Sequence, residues 1–212
     1  MKILLADDHK MMRDGLRAIL EKEGLQVVGE AQDGHEALAL AHRLRPDVVV
    51  MDISMPGLNG IDATRRLLAE IPRIKVISLS MNSDRRYVVA MFKAGAVGYL
   101  LKNSASDELI QAVRAVASDL TYVSPSIASI VVDSFIAGAQ SPPKAEKVLS
   151  AREREVLQLL AEGHSSKDIA STLNVAVPTV ETYRRLIMDK LNLRTIADLT
   201  KYAIREGLTS LD

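Results

Sequence analysis

Residues 48–57 read VVVMDISMPG, and this stretch decides the fold. Four apolar residues follow one another without a polar interruption, which is typical of a central strand that is buried on both faces. The run ends at Asp52, and a loop marked by proline and glycine follows. Because a carboxylate has no packing role there, Asp52 is either a surface acid at the strand end or the reactive group of a site.

Short apolar runs alternate with helical patterns over residues 1–118. Strands are predicted at residues 3–6, 26–30, 48–51, 75–79 and 97–101. The segments between and after them carry apolar residues at spacings of three and four, which predicts helices at residues 11–23, 35–45, 61–70, 85–94 and 107–117. This alternation favours an α/β fold, a five-stranded doubly wound parallel sheet with helices on both faces.

The rest of the chain changes character twice. Residues 119–147 predict one more helix and then a linker, AGAQSPPKAEK at 137–147. From residue 148 the pattern is purely helical, with Ser150 and Glu153 spaced as a capping box and Pro178 at the start of a third helix. We therefore expect a first, α/β domain at 1–118, a helical extension and linker at 119–147, and a second, smaller all-α domain at 148–212.

The totals exclude several classes of protein. The 212 residues include 27 basic and 27 acidic side chains, so a site for nucleic acid has to come from local clustering of charge. The absence of cysteine excludes disulfides, thiolate nucleophiles and cysteine-ligated zinc. No apolar run approaches the roughly 20 residues of a membrane span. We expect a cytoplasmic protein that does not bind membranes.

Polar side chains follow four of the predicted strands. Asp7 and Asp8 follow the first, Asp52 the third, Ser80 the fourth and Lys102 the fifth. Because ligands collect at the carboxyl ends of parallel strands, we expect these groups at one edge of the sheet. Each acid alone is ordinary turn chemistry, but the combination indicates a site.

The predicted chemistry of this site is phosphoryl transfer. Three carboxylates repel one another and need a cation, and ligands that are oxygen only suit Mg²⁺. An aspartate oxygen attacks phosphorus while the cation and Lys102 take up the charge of the phosphoryl oxygens.

The segments LLADDH, VVVMDISMPGLNG, VISLS and AGAVGYLLKNSASDELIQAVRAV resemble, in order and spacing, the receiver domain of two-component response regulators, which has a flavodoxin-like fold. The resemblance implies that Asp52 is the phosphoacceptor. It also implies that Mg²⁺ is bound by Asp8, Asp52 and the backbone carbonyl of Ser54, with Asp7 helping to hold the metal.

The resemblance also implies a conformational switch. Ser80 and Tyr99 match the switch pair, and Lys102 matches the lysine that contacts the phosphoryl group. A phosphoryl group on Asp52 draws the Ser80 hydroxyl toward it, and Tyr99 turns inward into the space that is left. Residues 85–87, Arg-Arg-Tyr at the start of the fourth helix, are candidates for the signalling face, and a solvated helix start is at least an equal interpretation.

Residues 148–208 resemble the LuxR-type helix-turn-helix of the NarL/FixJ subgroup. This motif has two helices joined by a tight turn, here predicted at 167–173 and 179–191, and the second helix enters the major groove. The resemblance implies base contacts from Glu181, Thr182 and Arg185. It implies phosphate contacts from Lys167, Thr179, Tyr183, Arg184 and Lys190.

The chemistry of the recognition helix agrees with this interpretation. Glu181 can accept from a cytosine amino group, and Arg185 can pair with guanine. Residues 178–205 hold six basic side chains and three acidic ones, although the whole module is neutral. Four apolar residues of the helix are expected to be core: Val180, Leu186, Ile187 and Leu191.

The predicted function is a phosphorylation-regulated transcription regulator. A sensor histidine kinase donates the phosphoryl group, the chain forms a homodimer on phosphorylation, and the dimer binds promoter DNA; RNA polymerase is a further candidate partner. It is not an enzyme with a separate substrate, since only self-phosphorylation and autodephosphorylation at Asp52 are expected.

Two alternatives stay open at this point. The first is a haloacid-dehalogenase-type phosphatase, a family that has a second acid where this chain has Ser54. The second is a DNA-binding protein that is regulated by protein contacts with an unphosphorylated receiver.

Overall fold

The structure, a computed structural model, describes residues 1–81, 83–103, 106–138 and 149–209. The chain divides into two compact units, Met1–Gln140 and Ser141–Asp212. The first unit has two apolar cores and the second unit has one. The predicted linker lies, from residue 139 onward, outside the described residues, and the predicted boundaries at 118 and 147 stay predictions.

The first unit contains a six-stranded parallel sheet. Its strands are β1 (Lys2–Ala6), β2 (Gln26–Ala31), β3 (Val48–Asp52), β4 (Lys75–Ser80), β5 (Gly98–Leu101) and β6 (Tyr122–Val123), in the order β2-β1-β3-β4-β5-β6. Its helices are α1 (Lys10–Lys22), α2 (Gly34–Leu44), α3 (Gly60–Glu70), α4 (Arg85–Ala94), α5 (Ser106–Ala117) and α6 (Pro125–Gly138). The doubly wound α/β fold predicted from the sequence is confirmed.

Two cores lie on opposite faces of this sheet. Along β3, Val49 and Met51 face the core beneath α2, α3 and α4, while Val48 and Val50 face the core beneath α1 and α5. Successive side chains of a strand point to opposite faces. A strand buried on both faces therefore has to be apolar at every position, which is the reason for the unbroken run before Asp52.

One strand was not expected. The predicted sheet had five strands, and the structure adds β6 beside β5, with Val123 paired to Tyr99 and the Ser124 N–H donating to the Tyr99 carbonyl at 3.0 Å. Two residues are too few to show a strand period, so the sequence pattern could not reveal it.

Helix α6 follows β6 and completes the core on the α4 side. Ile127 is fully buried in the same apolar cluster as Tyr99 and Val88. Near the other end of the helix, the Arg85 Nε donates to the Ser134 Oγ at 2.9 Å and so ties α6 to the start of α4.

The second unit is wholly helical where the structure describes it. Its helices are α7 (Ala151–Ala161), α8 (Ser166–Thr172), α9 (Val177–Leu191) and α10 (Ile196–Arg205). The predicted capping box of Ser150 and Glu153 is present, and Thr195 caps α10. Pro178 is the second residue of α9 rather than the first. Among the described residues of both units, no helix is long and apolar enough to cross a membrane.

The prediction that Leu186 belongs to the core of the unit is wrong. Val180 and Ile187 are fully buried, and Leu191 is partly buried against the core, but Leu186 is 41% exposed. Val180 and Ile187 are seven residues apart and return to one face of the helix. Leu186 is rotated by about 100° from Ile187 and stacks instead above Thr182, four residues earlier.

Replacing Ile127 by alanine tests whether α6 belongs to the core of the first unit. We expect Ile127→Ala to lower the free energy of unfolding by about 2–5 kcal/mol, because it removes a fully buried side chain. Val132 lies on the same helix and is 56% exposed, so Val132→Ala should change it by at most about 0.5 kcal/mol. Native-state hydrogen exchange of the sheet amides, in the full chain, measures the free energy of unfolding of the first unit separately from the second. Equal protection in both variants would contradict the role given to Ile127.

Candidate functional site

The carboxyl ends of four strands bring five polar side chains to one edge of the sheet. Asp7 and Asp8 come directly after β1, Asp52 ends β3, Ser80 ends β4, and Lys102 comes directly after β5. Because β1, β3, β4 and β5 are neighbours in the sheet, the residues predicted from strand ends lie around one point.

Lys102 bridges two carboxylates at the centre of this group. Its Nζ lies 2.7 Å from the Asp52 Oδ2 and 2.8 Å from the Asp7 Oδ2. The side chains are almost completely buried, with 5% of Lys102, 3% of Asp52 and 2% of Asp7 exposed. Burial makes an unpaired charge costly, so the single cation holds both acids in place.

The electrostatics of the site are set by burial. Burial raises the pKa of Asp52 from 3.8 to about 6, against the opposing effect of the Lys102 ammonium. Burial alone would lower the pKa of Lys102, but the carboxylates of Asp52 and Asp7 raise it above its ordinary value. At neutral pH the site therefore holds an ionised Asp52 and a charged lysine.

The loop after β1 is held by residues that the sequence analysis did not single out. The backbone N–H of His9 donates to the Asp7 Oδ1 at 2.8 Å. The Nη1 of Arg13 donates to the Asp7 carbonyl at 2.6 Å, and the Nε of Arg13 donates to the Glu30 Oε2 at 3.2 Å. The sequence marks these two residues only weakly, because an arginine in the first turns of a helix and an acid late in a strand are both common.

The donor atoms of this edge fit a divalent cation. One ligand atom from each of Asp7, Asp8, His9 and Asp52 lies within 4.8 Å of the others. The carboxylate oxygens are the donors that Mg²⁺ prefers. Ser54 is exposed in the loop after β3, and its N–H lies 3.4 Å from the Asp52 Oδ1.

Gly60 lets this loop pass close to the phosphoacceptor candidate. A Cβ at Gly60 would lie 1.9 Å from the Asp52 carbonyl oxygen, and its backbone N–H donates to the Ile53 carbonyl at 2.9 Å. Any side chain at Gly60 would displace the end of β3, so this position requires glycine.

Ser80 and Tyr99, the predicted switch pair, are hydrogen-bonded to each other through their side chains. Tyr99 is fully buried, and burial raises its pKa to about 12. Tyr99 therefore points into the core of the first unit, and its role in a switch stays a prediction.

An apolar groove of about 420 Å³ opens beside Lys102, between α1 and α5. Its walls include Met11, Met12 and Leu109, and Met81 lies at its rim directly after Ser80. Met11 is 88% exposed and Met81 is 79% exposed. Flexible methionine side chains of this kind suit surfaces that adapt to a partner.

The second unit contains a helix-turn-helix. Helices α8 and α9 pack against each other and are joined by residues 173–176, where Asn174 has a left-handed backbone with φ 51°. The exposed side chains of α9 include Glu181, Thr182 and Arg185. These are the three predicted base contacts, so they lie where a ligand can reach them.

Three predicted contacts, Glu181, Arg184 and Lys190, already have side-chain partners within the unit. The Ser166 Oγ donates to the Glu181 Oε1, and the Arg184 Nη1 lies 3.7 Å from the Glu181 Oε2. Lys190 Nζ lies 2.8 Å from the buried Glu153, which ties the end of α9 to α7.

The other predicted phosphate contacts differ in exposure. Lys167 is exposed on α8, while Thr179 and Arg184 are half-buried. Tyr183 is also half-buried and packs against the core of the unit.

Comparison with known families assigns a family to each unit. Residues 3–114 match the response regulator receiver domain, and residues 147–203 match the bacterial regulatory proteins of the luxR family.

Individual relatives are similar over the full chain. The oxygen regulatory protein NreC of Staphylococcus epidermidis is 41% identical, over 98% of this chain and 99% of that protein. The response regulator GacA of Pseudomonas aeruginosa is 38% identical, over 98% and 97%. The structure of RcsB from Salmonella enterica serovar Typhimurium, bound to promoter P1flhDC with the phosphomimetic BeF₃⁻, is 29% identical with a TM-score of 0.61 and covers 99% of both chains.

We predict that Asp52 titrates near pH 6 in buffer with a chelator, because burial raises its pKa from 3.8 to about 6. Lys102→Met removes the opposing cation, so the pKa of Asp52 should rise further. Lys75→Met is the control, and it should leave the pKa of Asp52 unchanged. Lys75 pairs with Asp119 at the start of β4, at the opposite end of that strand from the site. Carbon-detected NMR of the aspartate carboxyl groups measures all three titrations.

The same shift of the Asp52 pKa links stability to pH with a definite sign. The folded-state pKa lies above the ordinary value, so ionisation of Asp52 weakens the fold as pH rises from 3.8 through about 6. Asp52→Asn removes this charge. The free energy of unfolding of this variant, minus that of the wild type, should therefore increase as pH rises from 3.8 through about 6. A difference that stays constant with pH would show that Asp52 is not buried as described.

Proposed function

The chain belongs to the two-component response regulators of the NarL/FixJ subgroup, and on that premise we propose that Asp52 accepts a phosphoryl group from a sensor histidine kinase. The protein is a phosphorylation-regulated transcription regulator with a receiver domain and a LuxR-type DNA-binding domain. The observation that carries the proposal is the Lys102 ammonium, held 2.7 Å from the Asp52 carboxylate at the edge of the sheet.

The proposed reaction is a transfer between two side chains. An oxygen of the Asp52 carboxylate forms a bond to phosphorus while the bond from phosphorus to the imidazole nitrogen of the kinase breaks, and that nitrogen keeps the electron pair. At neutral pH Asp52 is mostly ionised, as a nucleophile has to be, since its pKa is about 6. Lys102 then moves from the carboxylate to a phosphoryl oxygen and stabilises its charge.

Asp7, Asp8, Asp52 and the Ser54 carbonyl would hold the cation in this proposal. Mg²⁺, when bound there, offsets the negative charge of the acids and of the phosphoryl oxygens. Arg13 donates to the Asp7 carbonyl and is itself held by Glu30, so the acids are presented on a fixed loop rather than a mobile one. Loss of the phosphoryl group by hydrolysis at Asp52 is the only other chemistry we assign to the chain.

The hydrogen bond between Ser80 and Tyr99 would change when Asp52 is phosphorylated. Ser80 ends the strand next to β3, and a phosphoryl oxygen on Asp52 would compete with Tyr99 for its hydroxyl. A change at Ser80 reaches α4 directly, because the loop after Ser80 leads to Arg85.

The groove between α1 and α5 is the surface that we assign to the kinase. It is concave and apolar and adjoins Lys102, so a helix lying in it would bring a phosphohistidine to Asp52. The exposed Met11 and Met81 supply apolar area that a partner can bury.

We assign promoter DNA to the exposed face of α9. Arg185 is exposed and can reach a guanine edge, whereas Glu181 is already held by Ser166 and presents its carboxylate in a fixed orientation. One helix-turn-helix covers few base pairs, so we propose that phosphorylation favours a homodimer on paired half-sites. RNA polymerase as a partner and a cytoplasmic location stay predictions from the sequence.

The phosphatase alternative is not supported. Both matched families describe a regulator and not an enzyme with a separate substrate. Regulation by protein contacts alone, without phosphorylation, is distinguished by the next experiment.

Beryllofluoride with Mg²⁺ should tighten DNA binding and shift the full chain toward dimer, because it mimics the phosphoryl group on Asp52. Asp52→Asn should abolish both responses. Asp133→Asn makes the same change at an exposed position of α6 and should respond like the wild type. Binding to promoter fragments and sedimentation velocity measure the two effects. A wild-type response in Asp52→Asn would refute phosphorylation at Asp52.

Substitutions in the helix-turn-helix should separate two kinds of DNA contact. Lys167→Ala should weaken binding to all duplexes alike and reduce the slope of log K against log salt by about one, as expected for a phosphate contact. Arg185→Ala should cost about 1–3 kcal/mol and relax the preference at a single base pair. Titrations at several salt concentrations, on specific and random duplexes, measure both. The assignment fails if the two variants lose specificity equally.

A further inference from the structure

The exposed face of α9 carries an apolar strip. Leu186 lies in the middle of the helix and is 41% exposed, although the helix already buries a complete stripe that includes Val180 and Ile187. Leu186 is not among the described residues that form or pack against the core of the unit. Its apolar surface is available to be buried by a ligand.

Thr182 extends this strip by one turn. Its hydroxyl donates to the Pro178 carbonyl at 2.9 Å, four residues earlier in the same helix. The hydroxyl is therefore turned back to the backbone, and the methyl group is the part of Thr182 free to contact a ligand. Thr182 and Leu186 are four residues apart, so their side chains are neighbours on one face.

The strip lies among the polar residues that we assign to DNA. Arg185 is exposed on the same face of α9 and directly precedes Leu186. The apolar strip is therefore continuous with the proposed DNA surface, and a helix inserted in the major groove would bury both together.

The major groove offers one apolar group on a base edge, the C5 methyl of thymine. Along the helix, four residues span about 6 Å, and two base-pair steps of B-DNA span about 6.8 Å. Two apolar side chains at this spacing match two methyl groups that lie two steps apart.

We propose that the methyl of Thr182 and the side chain of Leu186 read thymine methyl groups two base pairs apart, so that each half-site contains two A·T pairs at this spacing. The inference rests on the proposed binding of DNA by α9 and adds the bases that this helix selects. Leu186 is then a specificity-determining residue, and its contact to DNA is apolar rather than polar.

The test uses uracil, which differs from thymine only by the methyl group. Duplexes that bind the full chain, with beryllofluoride and Mg²⁺, are first selected from a random pool. Each thymine of the selected half-site is then replaced in turn by uracil. We expect binding to weaken about 3- to 10-fold at two positions two base pairs apart, and little elsewhere, as for the loss of one buried methyl group.

Variants assign the two positions to the two side chains. Leu186→Ala should bind the thymine and uracil duplexes equally at one of the positions and keep the discrimination at the other. Leu186→Met keeps an apolar side chain and should retain the discrimination. Leu120→Ala removes a leucine that is 61% exposed in the first unit, and it should behave as the wild type at both positions.

The outcomes separate this inference from the proposed function. Undiminished discrimination at both positions in Leu186→Ala, with intact DNA binding, overturns the role of Leu186. Equal binding of thymine and uracil duplexes by the wild type overturns the apolar contact altogether. Failure of the wild type to select any sequence overturns the proposed DNA function and the inference with it.

Discussion

The pairing of one lysine with two buried carboxylates is the interaction on which the rest of this structure depends. Lys102 reaches across from the end of β5 to Asp52 on β3 and Asp7 after β1, so a single side chain spans the middle of the sheet. Acids so deeply buried repel one another, and without a cation they would disrupt the strand ends that carry them. The remaining negative charge suits a divalent cation, and an ionised Asp52 beside Lys102 is what the proposed phosphoryl transfer requires.

These buried charges therefore make the fold less stable than apolar side chains at the same edge of the sheet would. Burial raises the pKa of Asp52, so an ionised aspartate is kept there at neutral pH only because the fold supplies compensating charge. Around it the backbone is closely constrained. Gly60 lies against the Asp52 carbonyl with no room for a side chain, and Arg13 fixes the carbonyl of Asp7. Rigid placement of the reacting groups is the condition for accepting a phosphoryl group without a large rearrangement.

The sequence predicted the parts of this molecule that rest on repeated patterns. Strands buried on both faces are runs of apolar residues, which the sequence shows directly. A polar residue that ends such a run, as Asp52 does, can be identified because it interrupts the apolar pattern. Features that depend on packing were not predictable. Strand β6 is too short to show a period. Leu186 and Ile187 are both apolar, and only the packing of α9 shows that Ile187 is buried and Leu186 is exposed. The hold of Arg13 on Asp7 is a contact to a backbone atom, and no pattern of side-chain types encodes it.

Helix α6 has a consequence for building hybrid regulators from this chain. Ile127 fills the core beside Tyr99, and Ser134 receives the Arg85 guanidinium from the first residue of α4. The folded first unit thus extends beyond α5 and includes α6 at least as far as Ser134. A chimera that exchanged output modules at residue 118 would put a foreign surface against the buried tyrosine. One spliced after residue 138 would preserve it.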